Sequence, residues 1–254
     1  MQKREPLLTE KYFDDTISSR QQFITETEED AQLPAEEIRH DMVYFDLFTE
    51  RNELIELKYS RGYPIEEIKA DFLTVVDALE AFRRFSDPDG DPEGLFFNRE
   101  QDEYMQAVEL VSIALLLHID SDVFRRLVKA IGASGQDYVL DWLISRRLPE
   151  RRPQTTQLLF PKTYARLRDA IQAPHDLTPQ LLKSFLSGWY ESLDTVWYNI
   201  HAHRQDAAGF TGYWCWEAAA TAHYLGLDDT ELRTMRYYPT DLADFARSPE
   251  PERA

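Results

Sequence analysis

The stretch Gly212-Tyr-Trp-Cys-Trp-Glu-Ala-Ala-Ala-Thr-Ala-His-Tyr-Leu-Gly226 gathers the chain's single cysteine, a histidine, a glutamate, two tryptophans and two tyrosines into fifteen residues. Cys215 would act as a nucleophile only with a base within hydrogen-bond reach. On a continuous helix His223 lies about two turns further on, too far to serve. His201-Xaa-His203 precedes Cys215 by twelve residues and invites a zinc reading. A zinc site needs three or four converging ligands, and histidines two apart on a helix point away from each other. A wet helix end, with 205–209 as a loop, is the plainer expectation for that pair.

The acidic stretch Asp87-Pro-Asp-Gly-Asp-Pro-Glu-Gly94 can be aligned with a calcium loop. Asp89 then takes position 1, Asp91 position 3, Glu93 position 5, Gly94 position 6 and Glu100 position 12. Pro92 inside the loop, glutamate at position 5 and the lack of a second such loop argue for an ordinary surface turn. No glycine-rich phosphate loop, G-x-S-x-G elbow or H-E-x-x-H pair occurs. Acids are abundant enough that pairs of carboxylates carry no specificity. The residues therefore point to no enzyme activity, no metal and no cofactor.

The elements that must carry these residues read as helices almost throughout. Glycine is scarce, at 9 of 254 residues, and period-2 alternation is hard to find. Helices are expected over 9–27, 35–60 and from Pro64 through about residue 82. In the third, Ile65, Ile68, Phe72, Val75, Leu79 and Phe82 form one apolar stripe. Gly62 fits a C-terminal cap and Pro64 a first helical turn, so the second and third helices make an antiparallel hairpin. Further helices are expected over 99–118, 121–131, 136–147, 161–171, 179–201, 213–225 and 229–235, with a last turn over 239–247. Thr211 is the expected cap of the helix beginning near Gly212, with Gly226 at its end. That helix is apolar nearly all round, as a central buried helix is, and Glu217 inside it then needs a partner. A tyrosine hydroxyl, an indole N–H or an arginine would serve.

The fold class is accordingly all-α: a helical bundle or a short helical-hairpin solenoid around a buried C-terminal aromatic and alanine-rich helix. Leu148-Pro-Glu-Arg-Arg-Pro153 is the candidate boundary. It divides an acidic N-terminal region, 1–148, from a C-terminal region, 149–254, the two packing as one unit. With one cysteine no intrachain disulfide can form, and a reducing, cytoplasmic location is expected. The longest apolar run, near Val111 to Ile119, is too short for a membrane span.

Charge is distributed unevenly. Of a formal net −18, residues 1–127 carry 30 acidic and 14 basic side chains, and residues 128–254 carry 16 and 14. Such an N-terminal half repels nucleic acid phosphates. It attracts a basic protein and speeds its association.

Several segments then match a known pattern. Gly212-Tyr-Trp-Cys-Trp-Glu-Ala-Ala-Ala, Leu225-Gly-Leu-Asp-Asp229 and Tyr237-Tyr-Pro-Thr-Asp-Leu242 resemble the C-terminal signature of the PoNe-immunity (PoNi-like) proteins. Arg4-Glu-Pro-Leu-Leu, Tyr12-Phe-Asp-Asp15 and Leu57-Lys-Tyr-Ser-Arg-Gly-Tyr63, followed by Ile68-Lys69, resemble that family's N-terminal domain. The resemblance implies an all-helical antidote. Its partner would be a cognate bacterial toxin with a basic surface, often a DNase delivered by type VI or related secretion. No catalytic residues, nucleic acid or membrane partner are implied. Tyr213, Trp214, Glu217, Tyr238, Pro239 and Asp241 are taken as framework of the signature.

Combined with the charge, this makes two acidic groups the candidate toxin contacts. One is Glu26, Glu28, Glu29, Asp30, Glu36 and Glu37; the other is Asp87, Asp89, Asp91 and Glu93. Phe96 and Phe97 are candidate anchors beside the second group. Two other readings stand: a non-catalytic helical adaptor for another basic protein, and a metal-dependent hydrolase using His201, His203 or scattered acids.

Overall fold

The computed structural model describes residues 2–86, 100–132, 135–193, 195, 198–203 and 205–248, and the described residues are helical with no strand. The chain divides into two compact units. The first comprises Met1–Asp91 and Asn199–Gly212, the second Pro92–Tyr198 and Tyr213–Ala254.

The first unit is built on three long helices: α1 (Glu10–Asp30), α2 (His40–Arg61) and α3 (Ile65–Ser86). Thr9 caps α1 by accepting a hydrogen bond from the Tyr12 N–H, at 3.1 Å. Gly62 ends α2 at φ +100°, a left-handed conformation that glycine adopts freely. Arg61 pairs with Asp14, Arg20 with Glu53 and Arg51 with Glu28, so positions on α2 fall as those on α1 rise. Lys58 pairs with Asp71, and Tyr44 stacks on Phe85. Hence α2 runs antiparallel to both neighbours and lies between them. Its side chains Val43, Leu47, Phe48, Ile55 and Leu57 are buried with Phe72, Val75 and Leu79 of α3. The return segment adds the one-turn helix α9 (Ile200–His203) and a 3-10 turn at Gln205–Ala207.

In the second unit, α4 (Gln101–Leu116) is buried along almost its whole length. Around it lie α5 (Ser121–Ile131), α6 (Tyr138–Ser145), the α7 (Pro161–Gln172) and α8 (Thr178–Ser192) hairpin, α10 (Trp216–Tyr224) and α11 (Thr240–Arg247). The Arg166 side chain of α7 reaches across to Gly188 of α8. A Cβ on Gly188 would sit 2.4 Å from an Arg166 guanidinium nitrogen. In α10, every residue from Trp216 to Ala222 is buried, and its four alanines let neighbours approach.

Four helix boundaries depart from the periodicity. The segment after Pro34 makes turns only, because Arg39 is extended (φ −86°, ψ 97°), and α2 starts at His40. The helix expected over 179–201 stops at Ser192. Leu193 turns into the core, and Tyr198 comes back to stack on Tyr190 at 4.9 Å. The helix expected from Gly212 begins only at Trp216. Gly212 sits at φ +133°, and the Cys215 N–H donates to the Tyr237 carbonyl at 2.9 Å, holding 213–215 out of helical geometry. Thr211 therefore caps nothing; its hydroxyl donates to the Glu56 carboxylate. Of the helix expected over 229–235, a 3-10 turn at Leu232–Thr234 forms.

Candidate functional site

The aromatic stretch after Gly212 is the centre of the second unit's core. Glu217 is fully buried, and its Oε1 accepts a hydrogen bond from Trp189 Nε1 at 2.9 Å. Burial pushes this carboxyl up to about 7. Cys215 is also fully buried, and burial followed by the nearby Glu217 charge pushes its thiol well above the ordinary range. A thiol held neutral beside a carboxyl lacks the thiolate character of a nucleophile. His223 lies 5.9 Å from His118, ring centre to ring centre. Packing and hydrogen bonding account for the residue types of this stretch.

A second polar knot holds α4 to α6. Asp137 caps α6 by accepting from the Val139 and Leu140 N–H groups at 2.8 and 3.1 Å. The same carboxylate accepts from the Tyr104 hydroxyl at 2.6 Å and the Leu159 N–H at 2.8 Å. A third is Asp229. It accepts from Tyr238 at 2.7 Å and Arg233 at 2.7 Å, and pairs with Arg247.

Two of the signature residues, Glu217 and Tyr238, belong to these knots. Tyr213, Trp214, Glu217, Tyr238 and Pro239 are buried, and Asp241 is exposed in the first turn of α11. The N-terminal pattern has a similar setting at the closed end of the α2–α3 hairpin. Arg4 donates to the Tyr59 and Tyr63 carbonyls at 2.8 and 3.0 Å and lies over the Tyr59 ring. The Arg4 and Glu5 N–H groups both donate to the Ser60 carbonyl. The Tyr12 hydroxyl lies 2.9 and 2.8 Å from the Ala207 and Phe210 carbonyls. These motif residues join chain segments together.

The acids expected to meet a partner lie away from that closed end. Glu26, Glu28, Glu29, Asp30, Glu36 and Glu37 are all exposed, along the last turns of α1 and the connection to α2. Glu28 pairs with Arg51, and Glu26 accepts from Gln22 at 2.8 Å. Asp87, Asp89, Asp91, Glu93, Phe96 and Phe97 lie outside the described residues, as does all of the segment that can be aligned with a calcium loop except Glu100. Among the described residues, no three His, Cys, Asp or Glu side chains group in a way that could hold a metal ion. Among the described residues, no helix is long and apolar enough to cross a membrane.

Beside the acids stand apolar side chains that sequence reasoning did not select. Met42 and Phe45 on α2 are 48% and 43% exposed, and Phe85 on α3 is 39% exposed. The available signal was α2 itself, which carries apolar residues on more sides than one buried stripe can use.

Comparison with known proteins bears on the whole chain. The model of the N-terminal part of PoNe immunity proteins (PoNi) matches residues 4–129, and that of the C-terminal part matches residues 135–242. The crystal structure of protein PA2201 from Pseudomonas aeruginosa is similar in fold, with a TM-score of 0.70 at 17% identity, over 96% of this chain and 90% of that one. Among curated proteins none matches. With both parts of the family matched in order and nearly end to end, this chain belongs to the PoNe immunity protein (PoNi) family.

Proposed function

We infer that this chain is the antidote to a DNase toxin delivered by a type VI or similar secretion system, acting in the cytoplasm of the cell that makes it. It works by binding and performs no chemistry of its own. A DNase must present a cationic surface to phosphates. A helical surface bearing exposed carboxylates competes for that surface, either in the groove or beside it.

The observation that carries this reading is the concentration of exposed acid in a member of the PoNi family. Residues 21–50 hold nine acidic side chains and one basic one, and six of those acids are exposed. Long-range attraction of that kind speeds encounter with a cationic partner and is weakened by salt.

The test is rescue. Cells expressing the toxin encoded beside this chain should survive when it is co-expressed, and chromosomal DNA should stay intact. The two purified proteins should form a stable complex whose DNase activity on plasmid is suppressed. Survival without suppression of DNA cleavage would remove the DNase reading. Absence of both rescue and binding would remove the antidote reading altogether.

A further inference from the structure

We propose that the N-terminal end of α2, with Met42, Phe45 and Phe85 as apolar anchors, is where this protein grips an arginine-bearing segment of its toxin.

Single exposed apolar residues are ordinary on any protein surface. Here Met42 and Phe45 fall inside the most acidic stretch of the chain, residues 21–50. Met42 and Phe45 are one helical turn apart on α2, and Asp46 follows Met42 by four residues on the same stripe. Phe45 meets the Phe82 ring edge-on at 5.3 Å. Phe85 lies parallel to Tyr44, 4° between planes and 5.3 Å between centres, and His40 flanks it at 5.1 Å. The His40 ring nitrogen also lies 3.0 Å from the Leu33 carbonyl, tying the Glu36–Glu37 connection to the start of α2. These rings are fixed before any partner arrives, so little side-chain freedom is lost on binding.

The occupant follows from charge and ring chemistry together. Glu36 and Glu37 are exposed on the connecting segment that leads into α2. The single basic residue of 21–50, Arg39, is already paired with Asp41. A guanidinium is the cation best suited to lie flat on aromatic faces while bonding carboxylates at its rim. The chain displays this contact within itself, for Arg84 lies over the Phe85 ring at 4.9 Å. A partner arginine can replace or extend it, with the acids guiding its approach and the apolar anchors slowing its departure.

This proposal rests on the toxin-binding reading, and one experiment separates the two. Binding of the purified toxin domain encoded beside this chain is followed by surface kinetics at low and moderate salt. Wild type is compared with Met42→Gln/Phe45→Gln and with Glu36→Gln/Glu37→Gln. The anchor variant should dissociate at least about tenfold faster with little change in association. The acid variant should associate more slowly and lose salt dependence. Hydrogen exchange of the wild-type complex, which needs no variant to fold, should show new protection over 40–46 and 82–86. Failure of the wild type to bind overturns the toxin reading itself. Tight wild-type binding, with unchanged dissociation of a folded anchor variant or with no protection over those segments, overturns the anchor assignment alone.

Discussion

The indole of Trp189 donates to Glu217 across 2.9 Å inside the second unit, and Glu217 has no exposed surface. A carboxyl in that setting stays protonated far above its usual range, at about 7. Such a group ties stability to pH.

In the unfolded chain Glu217 loses its proton near pH 4.5; in the fold it keeps it to about 7. Between these values the native chain binds more protons, so stability falls as pH rises through the window and levels above it. Burial raises Glu56 to about 7 and Asp141 to about 6, which act in the same direction. For Asp229, burial pushes the carboxyl up but hydrogen bonds from Arg247, Arg233 and Tyr238 outweigh it. Its contribution is present above its unfolded value of 3.8 and is lost as pH falls further. Urea unfolding should therefore give greater stability at pH 5 than at pH 8. Glu217→Gln should flatten that difference by on the order of 3 kcal/mol. Equal slopes for wild type and variant would refute the assignment.

Asp137 gathers four donors, from Val139, Leu140, Tyr104 and Leu159. Asp137→Ala leaves buried donors without an acceptor and removes the α6 cap. It should cost about 3 kcal/mol or more in denaturant unfolding. Asp137→Asn keeps an acceptor oxygen and should cost clearly less. Similar costs for the two variants would mean that packing, not hydrogen bonding, dominates there.

At Gly62 a Cβ would sit 2.0 Å from the Gln2 carbonyl oxygen, and φ is +100°. Gly62→Ala should destabilise by roughly 2 kcal/mol and free the N-terminal segment. Hydrogen exchange at Arg4 and Glu5, whose N–H groups bond to Ser60, is the direct measure. Unchanged protection at both positions would contradict the prediction.

Replacing Glu29, Asp30, Glu36 and Glu37 by their amides should reduce the rate of toxin association about tenfold at low salt. The folded state should be unaffected, because all four are exposed. Stopped-flow mixing across a salt series measures the effect. An unaltered rate and salt slope would place the contact elsewhere.

Sequence by itself determined the all-helical class, the hairpin at Gly62, the buried character of the stretch around Ala218 and the one-sided charge. Each of these follows from local spacing, a backbone requirement at one residue, or a simple sum. Only the tertiary structure decided where helices stop and which polar groups meet. Thr211 could cap a helix by its type and position, yet Cys215 bonding to the Tyr237 carbonyl keeps the chain out of helical geometry there, and Thr211 turns to Glu56. Trp189 and Glu217 are 28 positions apart, and no local pattern pairs them. Likewise the exposure of Met42, Phe45 and Phe85 depends on which faces of α2 and α3 their neighbours leave uncovered. That is a property of packing between distant segments, and periodicity along one helix does not contain it.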